Sequence, residues 1–176
     1  MRPTHNPRTL LAATGLLLAL LLAINWLWPG MGVHGMRGAS ALAAVADIYP
    51  DPGEAQTDLK SALAQAKRER KRVIVDFGGN WCIDCHVLDI YFHDAQNLPL
   101  LQDGFVLVRV NIGEYDQNLD LAANYGIPLK KGVPALAVLT ADGRLLYSQR
   151  VGEFEAMSRM DSASVTSFLT RWKPQR

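Results

Sequence analysis

The chain has 176 residues, of which 49% are hydrophobic and 20% charged, and its formal net charge is +1. A charge this close to zero excludes a strongly basic nucleic-acid-binding domain, and two cysteines are too few for a small domain held together by several disulfides. The sequence contains neither a glycine-lysine phosphate loop nor a dinucleotide-binding glycine fingerprint, so it does not predict nucleotide chemistry.

The charges are unevenly distributed along the chain. Residues 1–46 hold three of the 18 basic residues and none of the 17 acidic ones, so residues 47–176 carry a net charge of −2. Within this basic leader, residues 9–28 form an uncharged stretch rich in leucine and alanine, which as a helix could cross roughly 30 Å of hydrocarbon. Arg2 and Arg8 precede the stretch, and this arrangement predicts that the rest of the chain is exported.

Two interpretations of the leader stay open. Residues 44–46 have the small-x-small pattern of a signal-peptidase site, which predicts a cleaved signal peptide. That site lies far beyond the apolar stretch, which favours an uncleaved signal anchor and a flexible tether. In both cases residues 1–28 are the signal or anchor, residues 29–52 a linker, and residues 53–176 a domain outside the cytoplasm, in the periplasm or cell envelope. We expect the domain to be tethered to the inner membrane.

The elements of the domain are predicted from the periodicity of its apolar residues and from breaker residues. A helix is predicted over residues 58–70, after Pro52 and Gly53. The apolar run 73–77 is typical of a strand buried on both faces. The other predicted elements are a helix at 82–91, a strand at 105–112, a helix at 118–125, a hairpin with strands at 135–140 and 144–151, and a helix at 164–172.

This order of elements predicts an α/β fold. The two strands separated by a helix should be parallel, because a right-handed crossover connects them. The hairpin, whose turn contains Asp142 and Gly143, adds antiparallel strands to the same sheet. We therefore expect a central mixed sheet with helices on both faces. Arg109 interrupts the second apolar strand, and we interpret it as lying at an exposed edge of the sheet.

Cys82 and Cys85 are the only cysteines of the chain, and they follow the first predicted strand and a glycine break. This position puts Cys82 at or near the start of a helix, with Cys85 one turn later on the same face. Free N–H groups and the helix dipole stabilise a thiolate there, which lowers the pKa of Cys82. A thiolate attacks disulfides and a second thiol can release the mixed disulfide, so the spacing indicates a reversible dithiol.

Over roughly residues 55–173 the chain resembles the thioredoxin superfamily. The similarity rests on residues 73–77 followed by Trp81, Cys82 and Cys85, on the Gly-Val-Pro-Ala segment 132–135, on the hairpin turn at 142–143, and on Gly152. It is greater to extracytoplasmic, membrane-tethered thiol-disulfide reductase domains than to cytosolic thioredoxins. The resemblance implies a thioredoxin-like protein thiol-disulfide oxidoreductase, which needs no organic cofactor and no metal. Its implied partners are protein dithiols and disulfides and a second redox protein, and they include no nucleic acid.

The resemblance also implies a role for each residue of the dithiol site. Cys82 is expected to be the exposed nucleophile and Cys85 the buried resolving thiol. Asp76 is expected to be a buried carboxylate that manages the proton of Cys85, with its pKa raised by desolvation.

Substrate-binding residues are implied in the same way. Pro134 is expected to follow a cis peptide bond, with the backbone of Val133 presented to an extended substrate, and Trp81 is expected to pack beside the sulfurs. Gly78 and Gly79 stand where cytosolic thioredoxins have bulkier residues, which predicts a looser site.

The residues next to the cysteines bear on the direction of electron flow. Asp84 disfavours a neighbouring thiolate, whereas His86 favours one when it is protonated. A destabilised thiolate gives a more reducing couple, and we predict a reductant.

A different class of function is also compatible with this motif. Cys82, Cys85 and His86 fit the C-x-x-C-H signature of c-type haem attachment, with Met157, Met160 or His93 available as a second axial ligand. The same three residues could instead contribute to a site in a metal carrier. The alternative is therefore a non-enzymatic haem- or metal-binding carrier.

Overall fold

The computed structural model describes residues 47–175, and the predicted signal or anchor helix lies outside them. The helices are α1 (Ala55–Glu69), α2 (Ile83–Phe92), α3 (Leu98–Gly104), α4 (Leu119–Asn124) and α5 (Ser162–Trp172), and the strands are β1 (Arg72–Gly78), β2 (Phe105–Asn111), β3 (Ala135–Leu139) and β4 (Leu145–Ser148). Short 3-10 helices cover Pro52–Glu54, Leu129–Lys131 and Met157–Arg159. Within residues 47–175, none of the helices combines the length and apolar character that crossing a membrane requires.

The four strands form one mixed sheet in the order β2-β1-β3-β4. β1 and β2 are parallel, and Val75 lies opposite Val108. β3 runs antiparallel to β1 and pairs with β4 as a hairpin. This confirms the predicted parallel pair and the antiparallel hairpin within one sheet. Among residues 47–175, it also makes β2, which carries Arg109, an edge strand.

Apolar cores cover both faces of the sheet because the side chains of β1 alternate between them. Val73, Val75 and Phe77 pack in one core with buried residues of α1 and α4, whereas Ile74 packs in the other with residues of α2, α3 and α5. Six of the seven β1 residues are buried. The continuous apolar run in the sequence is therefore explained by helices on both sides of this strand.

The helices start where local capping allows. α1 begins three residues before the predicted start, because the Pro52–Glu54 turn, capped by the side chain of Asp51, leads directly into it. α5 begins two residues before its predicted start, since the Asp161 carboxylate accepts a hydrogen bond from the Ser164 N–H.

α3 (Leu98–Gly104) was not predicted and corrects the expected order of elements. It has seven residues and contains a proline in its first turn, so its apolar periodicity is too short to recognise. Tertiary contacts hold it in place. Leu101 is buried, and the neighbouring Asn97 side chain is fully buried and bonded to Ser162 and Thr166 of α5.

Candidate active site

Cys82 and Cys85 lie at the start of α2, just past the end of β1. Cys82 is the N-cap residue of the helix, and its Sγ atom accepts a hydrogen bond from the Cys85 N–H at 3.1 Å. The two residues form a disulfide, with their Cα atoms 5.2 Å apart. The free N–H groups of this helix start favour negative charge on the Cys82 sulfur once the disulfide is reduced.

The two cysteine residues differ less in exposure than the resemblance implied. Cys85 is fully buried, and Cys82 is only 6% exposed in the disulfide form. The expected exposed nucleophile is therefore a nearly covered one, because the loop before β3 lies against it. The Val133 carbonyl oxygen lies 3.5 Å from the Cys82 Sγ.

This loop contains a cis peptide bond between Val133 and Pro134. The buried side chain of Gln149 holds it against the sheet, because the Gln149 Nε2 donates to the Pro134 carbonyl oxygen and the Gln149 Oε1 accepts from the Leu136 N–H. Sequence reasoning missed Gln149, which lies just after β4 in a predicted strand and carries no local signal for this role. The expected neighbours Cys82 and Val133 are thus brought together across 51 positions of sequence.

Asp76 is buried in β1, as expected. Desolvation raises its pKa to about 7, although a hydrogen bond from Tyr49 and the positive charge of Arg109 act in the opposite direction. The Tyr49 hydroxyl donates to the Asp76 Oδ2 at 2.9 Å. The Asp76 Oδ1 has no hydrogen-bond partner among the described residues. The carboxyl group can therefore hold or release a proton near neutral pH.

Gly78 and Gly79 do not make the site looser, which corrects the prediction. A Cβ atom added to Gly78 would lie 2.3 Å from the Tyr49 hydroxyl oxygen and 2.7 Å from the Cys85 Sγ. A Cβ atom at Gly79 would lie 2.6 Å from the Trp81 Nε1. Side chains from elsewhere in the chain occupy the space, so both glycines permit close packing.

Tyr49 belongs to a segment that the sequence assigned to the linker. The Asn80 Oδ1 accepts hydrogen bonds from the N–H groups of Ile48 and Tyr49, and the Asn80 Nδ2 donates to the Tyr49 carbonyl oxygen. The Asn111 side chain bonds to the Pro50 carbonyl oxygen. Residues 48–50 are therefore packed onto the domain. Neither Tyr49 nor Asn80 was identified from the sequence, because a pairing between positions 31 apart leaves no local pattern.

Trp81 and Ile83 flank Cys82 and form, with Tyr115, the apolar rim of the site. The Trp81 Nε1 donates to the Gly113 carbonyl oxygen at 2.7 Å, and its ring lies 5.4 Å from that of Tyr115. Trp81 is 43% exposed and Ile83 75% exposed. A groove of about 770 Å³ begins at Tyr115 and is lined by residues of α4 and by residues 127–132, including Lys130 and Lys131.

The two residues expected to tune the thiolate are both held by backbone groups. The Asp84 Oδ1 accepts a hydrogen bond from the Ser158 N–H at 2.6 Å. The His86 Nε2 lies 2.9 Å from the Asn80 carbonyl oxygen. Met157, considered above as a haem ligand, is buried in the core on the α2 side of the sheet. Both sulfurs are in a disulfide, which is the oxidised state that the dithiol interpretation requires.

Arg109 has a more specific environment than an exposed edge position. It pairs with Asp89 of α2, and both side chains are 23% exposed. Its strand position is directly opposite Asp76. The edge location of its strand was predicted correctly, whereas its ion pair with Asp89 was not predicted.

Comparisons with known proteins agree with this geometry. A family model described as thioredoxin-like matches residues 54–141. A crystal structure of a disulphide isomerase from Xylella fastidiosa Temecula1 is 34% identical, with a TM-score of 0.69, and the match covers 73% of this chain and 98% of that chain.

Relatives known by sequence include the thiol:disulfide interchange protein DsbD of Vibrio cholerae, 29% identical over 57% of this chain and 16% of that protein. DsbD of Pseudomonas sp. strain JR1 / K1 is 30% identical over 72% of this chain and 19% of that protein. The chain thus spans no more than about a fifth of the length of these two DsbD proteins. The matched residues contain β1, the cysteine pair and β3, and the chain belongs to the thioredoxin-like family, with the Cys-x-x-Cys pair of its thiol-disulfide oxidoreductases.

Proposed function

We propose that the chain is a protein thiol-disulfide oxidoreductase that exchanges disulfides through Cys82 and Cys85. One observation carries this proposal: a dithiol pair that forms a disulfide starts a helix, and the buried carboxyl of Asp76 is bonded to the Tyr49 hydroxyl, which lies no more than 5.0 Å from the Cys85 Sγ. The relatives named as disulfide isomerase and thiol:disulfide interchange proteins support the same reaction class.

In the reducing direction, the Cys82 thiolate attacks one sulfur of a partner disulfide. A mixed disulfide forms, and the other partner sulfur leaves as a thiolate. The Cys85 thiol then loses its proton to the Asp76 carboxylate and attacks the Cys82 Sγ. This breaks the mixed disulfide, releases the second partner thiolate and leaves the Cys82–Cys85 disulfide. The partner gains two electrons and the chain loses two.

We infer that the partner is a protein and that it binds in an extended form. The backbone of Val133 lies beside the attacking sulfur of Cys82, where a short strand pairing would align a partner cysteine with it. Trp81 and Pro134 complete this proposed substrate-binding set. The apolar rim next to Cys82 supports contact with a polypeptide rather than with a small thiol alone.

We further propose that the chain acts as a reductant. The negative charge of Asp84, placed between the cysteines, disfavours the thiolate form and makes the couple more reducing. The test is the reduction potential measured against glutathione, together with turnover of oxidised insulin. A potential near about −270 mV with insulin reduction is expected, whereas a potential near about −120 mV indicates an oxidant and contradicts this direction.

We propose the cell envelope as the location, with residues 1–28 as signal or anchor and the following residues as a tether. The uncharged stretch at 9–28 after two arginines supports this. Fractionation of cells and mass spectrometry of the chain's N-terminus test it. An intact N-terminus in the membrane fraction supports an anchor, and a new N-terminus near residue 47 in the soluble envelope fraction supports cleavage. Recovery of the intact chain in the cytoplasm contradicts the location.

A further inference from the structure

A buried polar cluster behind Cys85 includes a hydroxyl group that the mechanism above does not use. Tyr49 is 3% exposed and donates its hydroxyl hydrogen bond to the Asp76 Oδ2. It lies before the residues that the family model matches, which begin at 54. A tyrosine hydroxyl is both donor and acceptor, so one hydrogen bond to Asp76 leaves its oxygen able to accept another.

The backbone around Tyr49 is held at both sides. Asn80, two residues before Cys82, makes three hydrogen bonds to Ile48 and Tyr49, at 2.8 to 3.0 Å. Asn111, at the end of β2, bonds to the Pro50 carbonyl oxygen at 2.9 Å. Asn80, which precedes the cysteine motif, therefore also fixes the backbone of the residue whose ring lies in the site.

The Tyr49 hydroxyl is close to the resolving sulfur as well as to the acid. Both the Tyr49 Oη and the Cys85 Sγ lie within 3 Å of the point where a Gly78 Cβ would stand. Because residue 78 has no side chain, nothing from that residue separates the two atoms. The two atoms are therefore no more than 5.0 Å apart, and the same hydroxyl is bonded to the Asp76 Oδ2.

We propose that the Tyr49 hydroxyl takes part in the resolving step and passes the proton of Cys85 to the Asp76 carboxylate. This inference rests on the proposed function. The S–H bond of Cys85 breaks and its proton bonds to the Tyr49 Oη, while the hydroxyl proton of Tyr49 moves to the Asp76 Oδ2. Tyr49 is neutral before and after. The electron pair left on the Cys85 Sγ forms the bond to the Cys82 Sγ, and the partner sulfur leaves as a thiolate.

Other charged groups also act on Asp76. Arg109 on β2 lowers its pKa and Asp89 on α2 raises it, in addition to the effects of burial and Tyr49. Arg109 and Asp89 pair with each other. A change at Tyr49 leaves that ion pair in place, so the effects of the hydroxyl can be measured separately.

The experiment is the substitution Tyr49→Phe, which removes the hydroxyl and keeps the ring. Stopped-flow mixing of the reduced full chain with a peptide disulfide separates attack by Cys82 from resolution by Cys85. We expect attack to change by less than about twofold and resolution to slow by at least about tenfold, so that the mixed disulfide accumulates. The acid limb of the pH dependence of the resolution rate should move to higher pH, because the loss of the Tyr49 hydrogen-bond donor raises the pKa of Asp76.

Tyr91→Phe is the matched control, because its hydroxyl donates to the Met160 carbonyl oxygen, outside this cluster. In Tyr91→Phe, the rates of attack by Cys82 and of resolution by Cys85 should equal those of the unsubstituted chain. The double variant Tyr49→Phe/Asp76→Asn should resolve no more slowly than Asp76→Asn alone, since one proton route is removed in both. Unchanged resolution in Tyr49→Phe, or strictly additive losses in the double variant, overturns the proposal.

A measurement on the unsubstituted chain covers the case in which Tyr49→Phe does not fold. The resolution rate is followed in mixtures of H₂O and D₂O. Two protons moving together give a curved dependence on the deuterium fraction, and a linear dependence overturns the relay. If the unsubstituted chain exchanges no disulfide at all, the proposed function fails. Normal exchange with a Tyr49-independent resolving step contradicts only this inference.

Discussion

The two sulfurs of the dithiol have contrasting surroundings although they lie one helical turn apart. Around Cys82 are the Val133 carbonyl, the exposed Ile83 and the half-exposed Trp81. Behind Cys85 there is a fully covered cluster that includes Asp76 and Tyr49. The surroundings of Cys82 include exposed apolar side chains and a backbone carbonyl, whereas those of Cys85 are sealed from solvent and contain titratable groups.

This contrast follows from where each residue lies on the fold. Cys82 caps α2 at the end of the sheet, where loops meet, and Cys85 points into the interior one turn later. Burial of a carboxyl group disfavours its charge, so the sealed region can hold a proton near pH 7. In the proposed function, partner contact and proton handling therefore take place on separate sides of one disulfide.

The largest effects are expected from removing one sulfur at a time. Cys82→Ala and Cys85→Ala are both expected to lose insulin turnover, since each lacks one half of the dithiol. Only Cys85→Ala should retain attack and form a lasting mixed disulfide with a peptide disulfide. Mass spectrometry under non-reducing conditions detects the adduct. A stable adduct on Cys85 in the Cys82→Ala variant would reverse the two roles.

The buried Asp76 carboxyl group should make the stability of the chain depend on pH, and Asp76→Asn should remove this contribution. The folded pKa of Asp76 is about 7, above the ordinary value of 3.8, so between about pH 4 and 7 the folded chain holds a proton that the unfolded chain has released. The free energy of unfolding therefore falls as pH rises through this window, by roughly 4 kcal/mol from this group.

Denaturant titrations of the unsubstituted chain and of Asp76→Asn at pH 4.5 and pH 8 measure this effect. The free energy of unfolding of Asp76→Asn, relative to that of the unsubstituted chain, should increase as the pH rises. An equal pH dependence in both chains contradicts the assignment of this proton to Asp76.

The packing of the sealed side can be tested with Gly78→Ala. The added methyl group would lie 2.3 Å from the Tyr49 hydroxyl oxygen and 2.7 Å from the Cys85 Sγ. Overpacking of this kind costs about 1–3 kcal/mol, measured as the free energy of unfolding. Gly104→Ala is the matched control, because a methyl group there meets its nearest neighbour at an ordinary 3.4 Å. Equal stability of the two variants argues against close packing at Gly78.

The smallest effect is expected on the exposed side. Ile83→Ser should change stability by less than about 0.5 kcal/mol, because the side chain is 75% exposed. Its rate constant with a protein disulfide should fall several-fold, while the rate with oxidised glutathione stays the same. Ile90→Ser, at another exposed position of α2, is the control and should change neither rate. Equal losses with protein and glutathione would mean that Ile83 acts on the sulfur rather than on the partner.

The sequence was sufficient for features that depend on local pattern. The period of apolar residues predicted β1, α1 and the hairpin, and the glycine break placed Cys82 at a helix start, where the structure has it. Asp76 was recognisable because a carboxylate inside an apolar run is costly unless it has a role. These predictions rest on residues that are adjacent or a few positions apart.

Features that depend on distant pairs could not be predicted in this way. Tyr49 meets Asp76 across 27 positions, and nothing near either residue indicates the contact. The expected loose site at Gly78 was wrong for the same reason, since the ring that fills the space comes from outside the motif. α3 was missed because seven residues with a proline give too little periodicity, and its place is fixed by contacts with α5 and β2.

The position of Tyr49 has a practical consequence for any shortened form of this protein. A chain trimmed to begin at Gly53, the boundary that the sequence alone indicates, would retain the four strands and five α-helices of residues 47–175. It would lack the residue that donates to the Asp76 Oδ2, and Asn80 would lose its partners at residues 48 and 49. The Asp76 carboxyl group of such a fragment would have different surroundings, and a reduction potential measured on the fragment would not be that of the longer chain.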